Sequence, residues 1–247
     1  MNNSSNEVNY IHSPETHNFS AARQILPFLL GLKQINSVLD VGCGTGTWLA
    51  IAKELGVLQI LGIDGTNLTA SDLKIPYDNF LRRDLTAPLD LNKKFDLLLC
   101  LEVAEHLPME NAEAFIDTLT QHSDFIIFSA AIPGQGGQDH LNEQWPGYWQ
   151  KLFEKKEYYP SEILRDKFWN NKEVEWWYKQ NMFIYAPKAV LTALNLPIAD
   201  EVRAIVHPEL LTEKLQFMDK LYGDVVEEVR NPGFRKAFKR LLKSIIN

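Results

Sequence analysis

The stretch SVLDVGCGTGTWLAIAKELG, residues 37–56, limits the possible folds of this chain more than any other. Ser37–Val41 is a short, mostly apolar run closed by glycines, the pattern of a strand buried on both faces. Gly42, Gly44 and Gly46 then permit backbone angles and close approaches that a side chain blocks, and Trp48, Leu49, Ile51, Ala52 and Leu55 recur at helical spacing. Strand, tight turn and helix in that order aim free N–H groups and the positive end of a helix dipole at whatever fills the turn, commonly a nucleotide-like ligand.

A chain of 247 residues can bury a full core, and one α/β domain with additions is the expected organisation. The net charge of -7 argues against broad electrostatic binding to nucleic acid or an anionic membrane. Cys43 and Cys100 fall in the glycine turn and in a buried strand, which gives neither a disulfide framework nor zinc-ligand spacing and suits a reducing cytoplasm. Residues 1–18 are polar, without a basic segment followed by an apolar run, and read as a flexible lead to a soluble, unexported protein.

Asp40 stands two residues before the first glycine, and the turn D-V-G-C-G-T-G resembles motif I of the class I S-adenosylmethionine-dependent methyltransferases. The resemblance implies a Rossmann-like α/β fold with a seven-stranded, mostly parallel sheet whose last strand is antiparallel. It implies S-adenosyl-L-methionine as cofactor, with its amino-acid portion held by the acidic residue and the glycine backbone. The cofactor set carried over is Asp40, Gly42, Cys43, Gly44, Gly46, Asp64, Asp84, Leu85 and Leu101.

Residues 58–63 form the second expected strand, and Asp64 at its tip is placed to accept hydrogen bonds from ribose hydroxyls. Residues 79–83 form the third, and by resemblance the following Asp84 meets the adenine amino group while Leu85 packs on the ring. Upstream, residues 19–32 carry helical spacing despite Pro27; this helix either covers the cofactor, with Arg23 reaching the methionine carboxylate, or simply packs.

The fourth strand, residues 95–102, is apolar throughout and ends in the most chemical motif of the chain, E-x-x-E-H: Glu102, Glu105 and His106. In a helical turn, positions i, i+3 and i+4 share a face, so the three side chains converge beside the cofactor. The fifth strand, residues 124–131, leads into the glycine-rich, polar loop IPGQGGQDHLNEQWPGYWQ, which brings in His140. Glu102, Glu105, His106 and His140 make a mixed oxygen and imidazole set suited to a divalent metal such as Mg²⁺ or Mn²⁺. E-x-x-E-H with a distant histidine resembles two groups of metal-dependent O-methyltransferases, the small-RNA 3′-terminal 2′-O-methyltransferases and, more loosely, the ubiquinone-pathway enzymes. In the rival, metal-free arrangement His140 or His106, with Glu105, serves as the candidate catalytic acid–base group.

LEVAEHLP, FSAAIPGQGGQDHLNEQWPGYW and EWWYKQNMFIYA also resemble a bacterial group of class I methyltransferases often encoded beside glycosyltransferases. That likeness implies methyl transfer and a small-molecule or sugar-containing acceptor. Asn142, Glu143 and Gln144 are candidate readers of hydroxyls, and Trp145 and Tyr148 of a sugar face, although Trp145, Trp149, Leu152 and Phe153 also fit one buried helix face. Residues 157–159 are expected as a short strand and residues 176–187 as a long final one, with Tyr178 and Asn181 as outer candidates for acceptor contact.

From residue 187 onward the spacing is helical, punctuated by Pro197, Pro208 and Pro232, and the last helix is basic through Arg235, Lys236, Lys239, Arg240 and Lys243. The expected division is a flexible lead over 1–18, the methyltransferase domain over 19–186 and a helical extension over 187–247. The extension is a solvated helix packed on the domain, a cap, a dimer face, or a carrier of an acidic acceptor. The function that follows is O-methylation of a hydroxyl. A 3′-terminal RNA 2′-O-methyltransferase, an N-methyltransferase acting on an amino sugar and a non-catalytic cofactor-binding protein stand as alternatives.

Overall fold

Buried β-rich runs separated by amphipathic helices leave a parallel sheet covered on both faces as the economical arrangement. In the computed structural model, strands β1 (Ser37–Val41), β2 (Gln59–Asp64), β3 (Phe80–Arg82), β4 (Leu97–Leu101), β5 (Ile126–Ser129), β6 (Tyr158–Ser161) and β7 (Phe183–Pro187) form one sheet ordered β3-β2-β1-β4-β5-β7-β6. The described residues are 10, 11, 13, 18–231, 233, 235, 236, 238 and 239. β1 pairs in parallel with β2 and β4, and β4 with β5, while β7 runs antiparallel between β5 and β6. This is the seven-stranded sheet with an antiparallel strand that the glycine-turn resemblance implies.

Alternation along the central strands shows why both faces are covered. Leu97, Leu99 and Leu101 of β4 join Ile127 and Ile184 on one side, against α1 (Ser20–Leu32) and α2 (Thr47–Glu54). Leu98 and Cys100 join Leu39, Ile126 and Phe128 on the other, against α3 (Ala112–His122) and α4 (Pro146–Glu154). Each large apolar side chain fully buried here contributes about 1.5–3 kcal/mol relative to exposure. Short helices α5 (Ile163–Phe168), α6 (Trp176–Asn181) and α7 (Lys188–Ala193) complete this part of the chain.

The order reverses direction at β1 and β4, so the crevice lies beyond their carboxyl ends, between the turn after Val41 and the turn after Leu101. The loop after β5 reaches the same place through hydrogen bonds from Leu141 N and Asn142 N to the carbonyl of Glu105, at 2.8 and 2.9 Å.

One expected element differs. Residues 176–187 do not make one long strand: Trp176–Asn181 is helical and only Phe183–Pro187 pairs in the sheet. The polar side chains Lys179, Gln180 and Asn181 are buried and bonded within the fold, and a strand through them would carry this polar run between the apolar layers. The strand begins where the apolar run resumes.

The chain divides into two compact units, Met1–Ile205 and Val206–Asn247. In the first, α7 and its continuation are integral: Leu191 and Val202 are core residues and Ala199 N bonds to the carbonyl of Pro160. The second contains the 23-residue helix α8 (Pro208–Arg230). Of the basic last helix, Arg235, Lys236 and Lys239 are described, while Arg240 and Lys243 lie outside the described residues, as does most of the polar lead. No described helix is long and apolar enough to cross a membrane.

Candidate active site

The turn after β1 is built on three glycines with positive φ, Gly42 at 80°, Gly44 at 51° and Gly46 at 82°. Gly42 also admits a close approach, since a Cβ there would collide with the Val103 side chain from the turn after β4. Gly42 N and Cys43 N donate to the carbonyl of Ile63, and Gly44 N donates to the Asp64 carboxylate at 2.8 Å, which ties the turn to the tip of β2. The other Asp64 oxygen accepts from Thr66 N and Thr66 Oγ1.

Asp40, Gly42, Cys43, Thr47, Trp48, Leu101 and Tyr178 line a small pocket beside this turn. Asp40 is buried, and that burial, with the nearby charge of Asp64, pushes its carboxyl up to about 8. A cation placed against it reverses that penalty, and the ammonium of an amino-acid-bearing cofactor is such a cation. Thr45 Oγ1, in the same turn, is buried without a hydrogen-bond partner. The residues present therefore fit S-adenosylmethionine.

Other sequence-derived positions sit differently. Arg23 does not reach this pocket: it is exposed, pairs with Glu54 at 3.4 Å and lies over Phe19. Asp84 is exposed and caps its own turn through Thr86 N and Oγ1, with the half-buried Leu85 packed against the core. Tyr178 lines the cofactor-side pocket, edge-on to Trp48 at 5.5 Å between ring centres.

Beyond β4, the expected shared helical face does not form. Glu102 adopts a left-handed φ of 54° and helical turning is confined to a 3-10 turn over Ala104–His106, so Glu102 leaves the register of the other two. Its carboxylate turns instead to Gln135 Nε2 at 2.8 Å and Asn181 Nδ2 at 3.2 Å. Glu105, His106 and His140 do converge, with one potential ligand atom from each lying within 4.8 Å of the others.

Glu105 is fully buried. One carboxylate oxygen accepts from Ala131 N at 3.1 Å, and the other, Oε2, is buried with no hydrogen-bond partner. Burial, reinforced by the charge of Glu102, pushes its carboxyl well above the ordinary range. His106 is held low by burial and by His140, an effect partly offset by hydrogen bonds with the backbone of Asp139 and Gln138.

His140 is placed by its loop. Glu143 accepts from Gly134 N and Gly136 N, each at 2.7 Å, and from His140 Nδ1 at 2.8 Å. Burial opposes ionisation of Glu143, but these hydrogen bonds outweigh it and hold the carboxyl below its usual range. With Nδ1 so engaged, Nε2 is the ring nitrogen of His140 left for metal or substrate chemistry. Gly137 packs against the ring so closely that a Cβ would overlap it.

Glu143 thus organises the loop. Asn142 is buried and accepts from Gln144 Nε2, whereas Trp145 is exposed and Tyr148 half-buried, with Trp149, Leu152 and Phe153 forming the buried face of α4.

Two contributors carry little signal in the sequence. Tyr10 lies edge-on to His106 at 5.4 Å, and its hydroxyl is pushed up by burial and by the charges of Glu105, Glu102 and Asp64. Its neighbour Ile11 N donates to Gln138 Oε1 at 3.4 Å. Gln135, which joins Glu102 to Asn181 and Gln180, belongs to a network formed only on folding.

Comparison with known proteins agrees with this architecture. A family model described as a methyltransferase domain matches residues 15–180. The chain is 28% identical over 149 residues to the ubiquinone biosynthesis O-methyltransferase of Rhodopseudomonas palustris, covering 57% of this chain and 52% of that protein. It is 36% identical over 94 residues to the protein of the same name from Rickettsia typhi, covering 34% of this chain and 35% of that one. The chain thus spans about half or less of the length of these curated relatives. Two solved structures share the fold: the sugar N-methyltransferase KedS8 from a Streptoalloteichus species, with TM-score 0.55, 14% identity and coverage of 76% of this chain and 98% of that one; and the magnesium protoporphyrin IX methyltransferase of Synechocystis with bound S-adenosylmethionine, with TM-score 0.50, 19% identity and coverage of 74% and 86%. From the family match over residues 15–180, the sheet order and the glycine turn that fits the cofactor, this chain belongs to the methyltransferase domain family and is a class I S-adenosylmethionine-dependent methyltransferase.

Proposed function

We propose that this enzyme methylates a hydroxyl of a small-molecule or sugar-containing acceptor, and that Glu105, His106 and His140 hold a divalent metal ion that binds that hydroxyl. The observation that carries the reading is Glu105 Oε2, a fully buried carboxylate oxygen without a partner, in a group that includes two imidazoles. Such an oxygen is costly to leave unsatisfied, by about 1–3 kcal/mol or more, and a cation at that point satisfies it. A metal there lowers the pKa of a bound hydroxyl. The similarity to proteins named ubiquinone biosynthesis O-methyltransferase supports an oxygen acceptor.

In the transfer, an acceptor oxygen lone pair forms the new bond to the methyl carbon as the carbon–sulfur bond breaks. Bound S-adenosylmethionine would supply the methyl group from its sulfonium, leaving a thioether, and the hydroxyl proton would leave to solvent. The chain's own tasks are positional: Asp40 and the glycine turn hold the amino-acid end of the cofactor, Asp64 the ribose, and Asp84 with Leu85 the adenine. Glu102 is clamped by Gln135 and Asn181.

A second reading rests on the hydrogen bond from His140 Nδ1 to Glu143. Without metal, that pairing leaves Nε2 of His140 as a general base that takes the hydroxyl proton directly. The test is metal analysis of the purified full chain, followed by methyl transfer to a panel of vicinal diols, single hydroxyls and amino sugars, with and without a chelator. Metal retention and loss of product on chelation, reversed by Mn²⁺ or Mg²⁺, support the first reading. Chelator-insensitive turnover of hydroxyls leaves the second, and turnover confined to amines overturns both.

A further inference from the structure

Helix α8 carries an apolar seam within the second compact unit. Leu211, Leu215, Met218, Tyr222, Val225 and Val229 are 46–73% exposed, and their spacing alternates between four and three residues over the whole helix. That alternation is a heptad repeat with Leu211, Met218 and Val225 at d and Leu215, Tyr222 and Val229 at a. A helix packed on an irregular protein surface has no need of a strict seam, whereas a second helix of the same periodicity does.

The flanking positions indicate which helix. Lys214 falls at g and Asp219 at the following e; Leu221 and Val226 repeat that relation one heptad later. In a parallel, in-register pair, g of one helix meets the next e of its partner. Lys214 then meets Asp219 of the partner subunit twice across the two-fold axis, and Leu221 meets Val226 of the partner subunit, which widens the apolar seam. An antiparallel pair on the same seam brings Asp219 against Asp219 of the partner subunit. The helix bears six acidic side chains against three basic ones, a balance that disfavours an anionic bilayer as the surface it meets.

We propose that α8 pairs with α8 of a second copy of this chain as a parallel two-stranded coiled coil, making the enzyme a homodimer. The inference is independent of the acceptor and of any metal, because it uses only residues of the second unit.

The test is sedimentation velocity of the full chain from about 1 to 100 μM, with circular dichroism and S-adenosylmethionine binding as controls for folding. The wild type is expected to be a dimer, and the double variant L215D/V225D a monomer that still binds cofactor. K214D and D219K are each expected to weaken the dimer by about three- to ten-fold, since each loses two exposed cross-pairs, and K214D/D219K to restore it to within about two-fold. A monomeric wild type, or a dimer indifferent to L215D/V225D, overturns the proposal. Equal weakening in the charge-swap double variant overturns the parallel register. A monomer that binds vesicles containing phosphatidylserine replaces the second copy with a membrane.

Discussion

Replacing Glu105 with glutamine separates a metal-holding carboxylate from a merely buried one, because the change is isosteric and keeps the Oε1 acceptor used by Ala131 N. Without a cation, the substitution removes a fully buried group that burial already drives to its neutral form, so stability of the metal-free protein should stay within about 1 kcal/mol of wild type or rise. With a cation, it removes one member of a three-residue donor group and the only charged one. At a metal concentration about 100 times Kd, binding adds about 2.7 kcal/mol to the folded state. In a folded unit of this size, where 1 kcal/mol corresponds to about 2–4 °C, wild type should gain about 5–11 °C in Tm on saturation with Mn²⁺. Glu105→Gln should gain less than about 2 °C at the same concentration, because its site is far from saturated. Differential scanning calorimetry with and without Mn²⁺ reads both numbers. Equal metal-induced gains in the two proteins, or no gain in wild type, refute the argument that Oε2 is a ligand atom.

Gly137→Ala drives a methyl group into the His140 ring; displacement of that ring should lower kcat/KM by about 10–100-fold while calorimetric cofactor affinity changes by less than about two-fold. Asp40 is raised to about 8 in the folded state from about 4 unfolded, so its contribution is full below pH 4 and lost as pH rises to 8. Between pH 6 and 8, cofactor-free wild type should therefore lose about 2–3 kcal/mol relative to Asp40→Asn in urea titrations, and parallel pH profiles would contradict the buried-carboxyl account. Arg165 is buried, donates to Glu162 at 2.9 Å and to the carbonyls of Gln180 and Arg203, and lies over the Phe183 ring. Arg165→Ala should cost about 2–4 kcal/mol in equilibrium unfolding, because it takes the guanidinium donors from those carbonyls, while Glu162 keeps Arg203 Nε at 2.6 Å.

How much of this was legible in the sequence follows from the range of the forces involved. Strand β1, the glycine turn and α2 are specified locally, by apolar spacing and residues able to take positive φ, and residues 37–41 are a strand as read. The central strands are found but drawn one or two residues too long at their ends. Residues 176–181 were misread because aromatic residues favour strands locally, while the burial of Lys179, Gln180 and Asn181 is decided by neighbours far away in sequence. The same limit applies at the site. E-x-x-E-H pointed to Glu105 and His106, but the left-handed backbone of Glu102 and its capture by Gln135 and Asn181 depend on a loop and a helix 33 and 79 residues away. The helix over residues 20–32 packs its apolar face into the core, one of the two arrangements its spacing leaves open, because helical spacing identifies a buried face without placing an exposed side chain such as Arg23.

The metal-bound and metal-free readings share one piece of wiring, and it locates the decision between them. Glu143 fixes His140 through Nδ1 while it also accepts from Gly134 N and Gly136 N, so the carboxylate tethers the loop and selects the ring nitrogen in one set of bonds. Glu105 does the corresponding work from the sheet side, with its carbonyl accepting from Leu141 N and Asn142 N and its carboxylate from Ala131 N. Loop and strand therefore present His140 Nε2 in the same place whether it meets a metal or a proton. What separates the readings is Glu105 Oε2, which a proton-taking His140 does not need and a metal does. Glu143→Gln keeps one side-chain acceptor and loses the charge that orients and supports the imidazole. Under the metal reading it should weaken Mn²⁺ binding by about 10–100-fold, with activity restored at high metal. Under the base reading it should lower kcat at every metal concentration, with no rescue by added metal, because the imidazole that takes the proton loses the carboxylate that orients it.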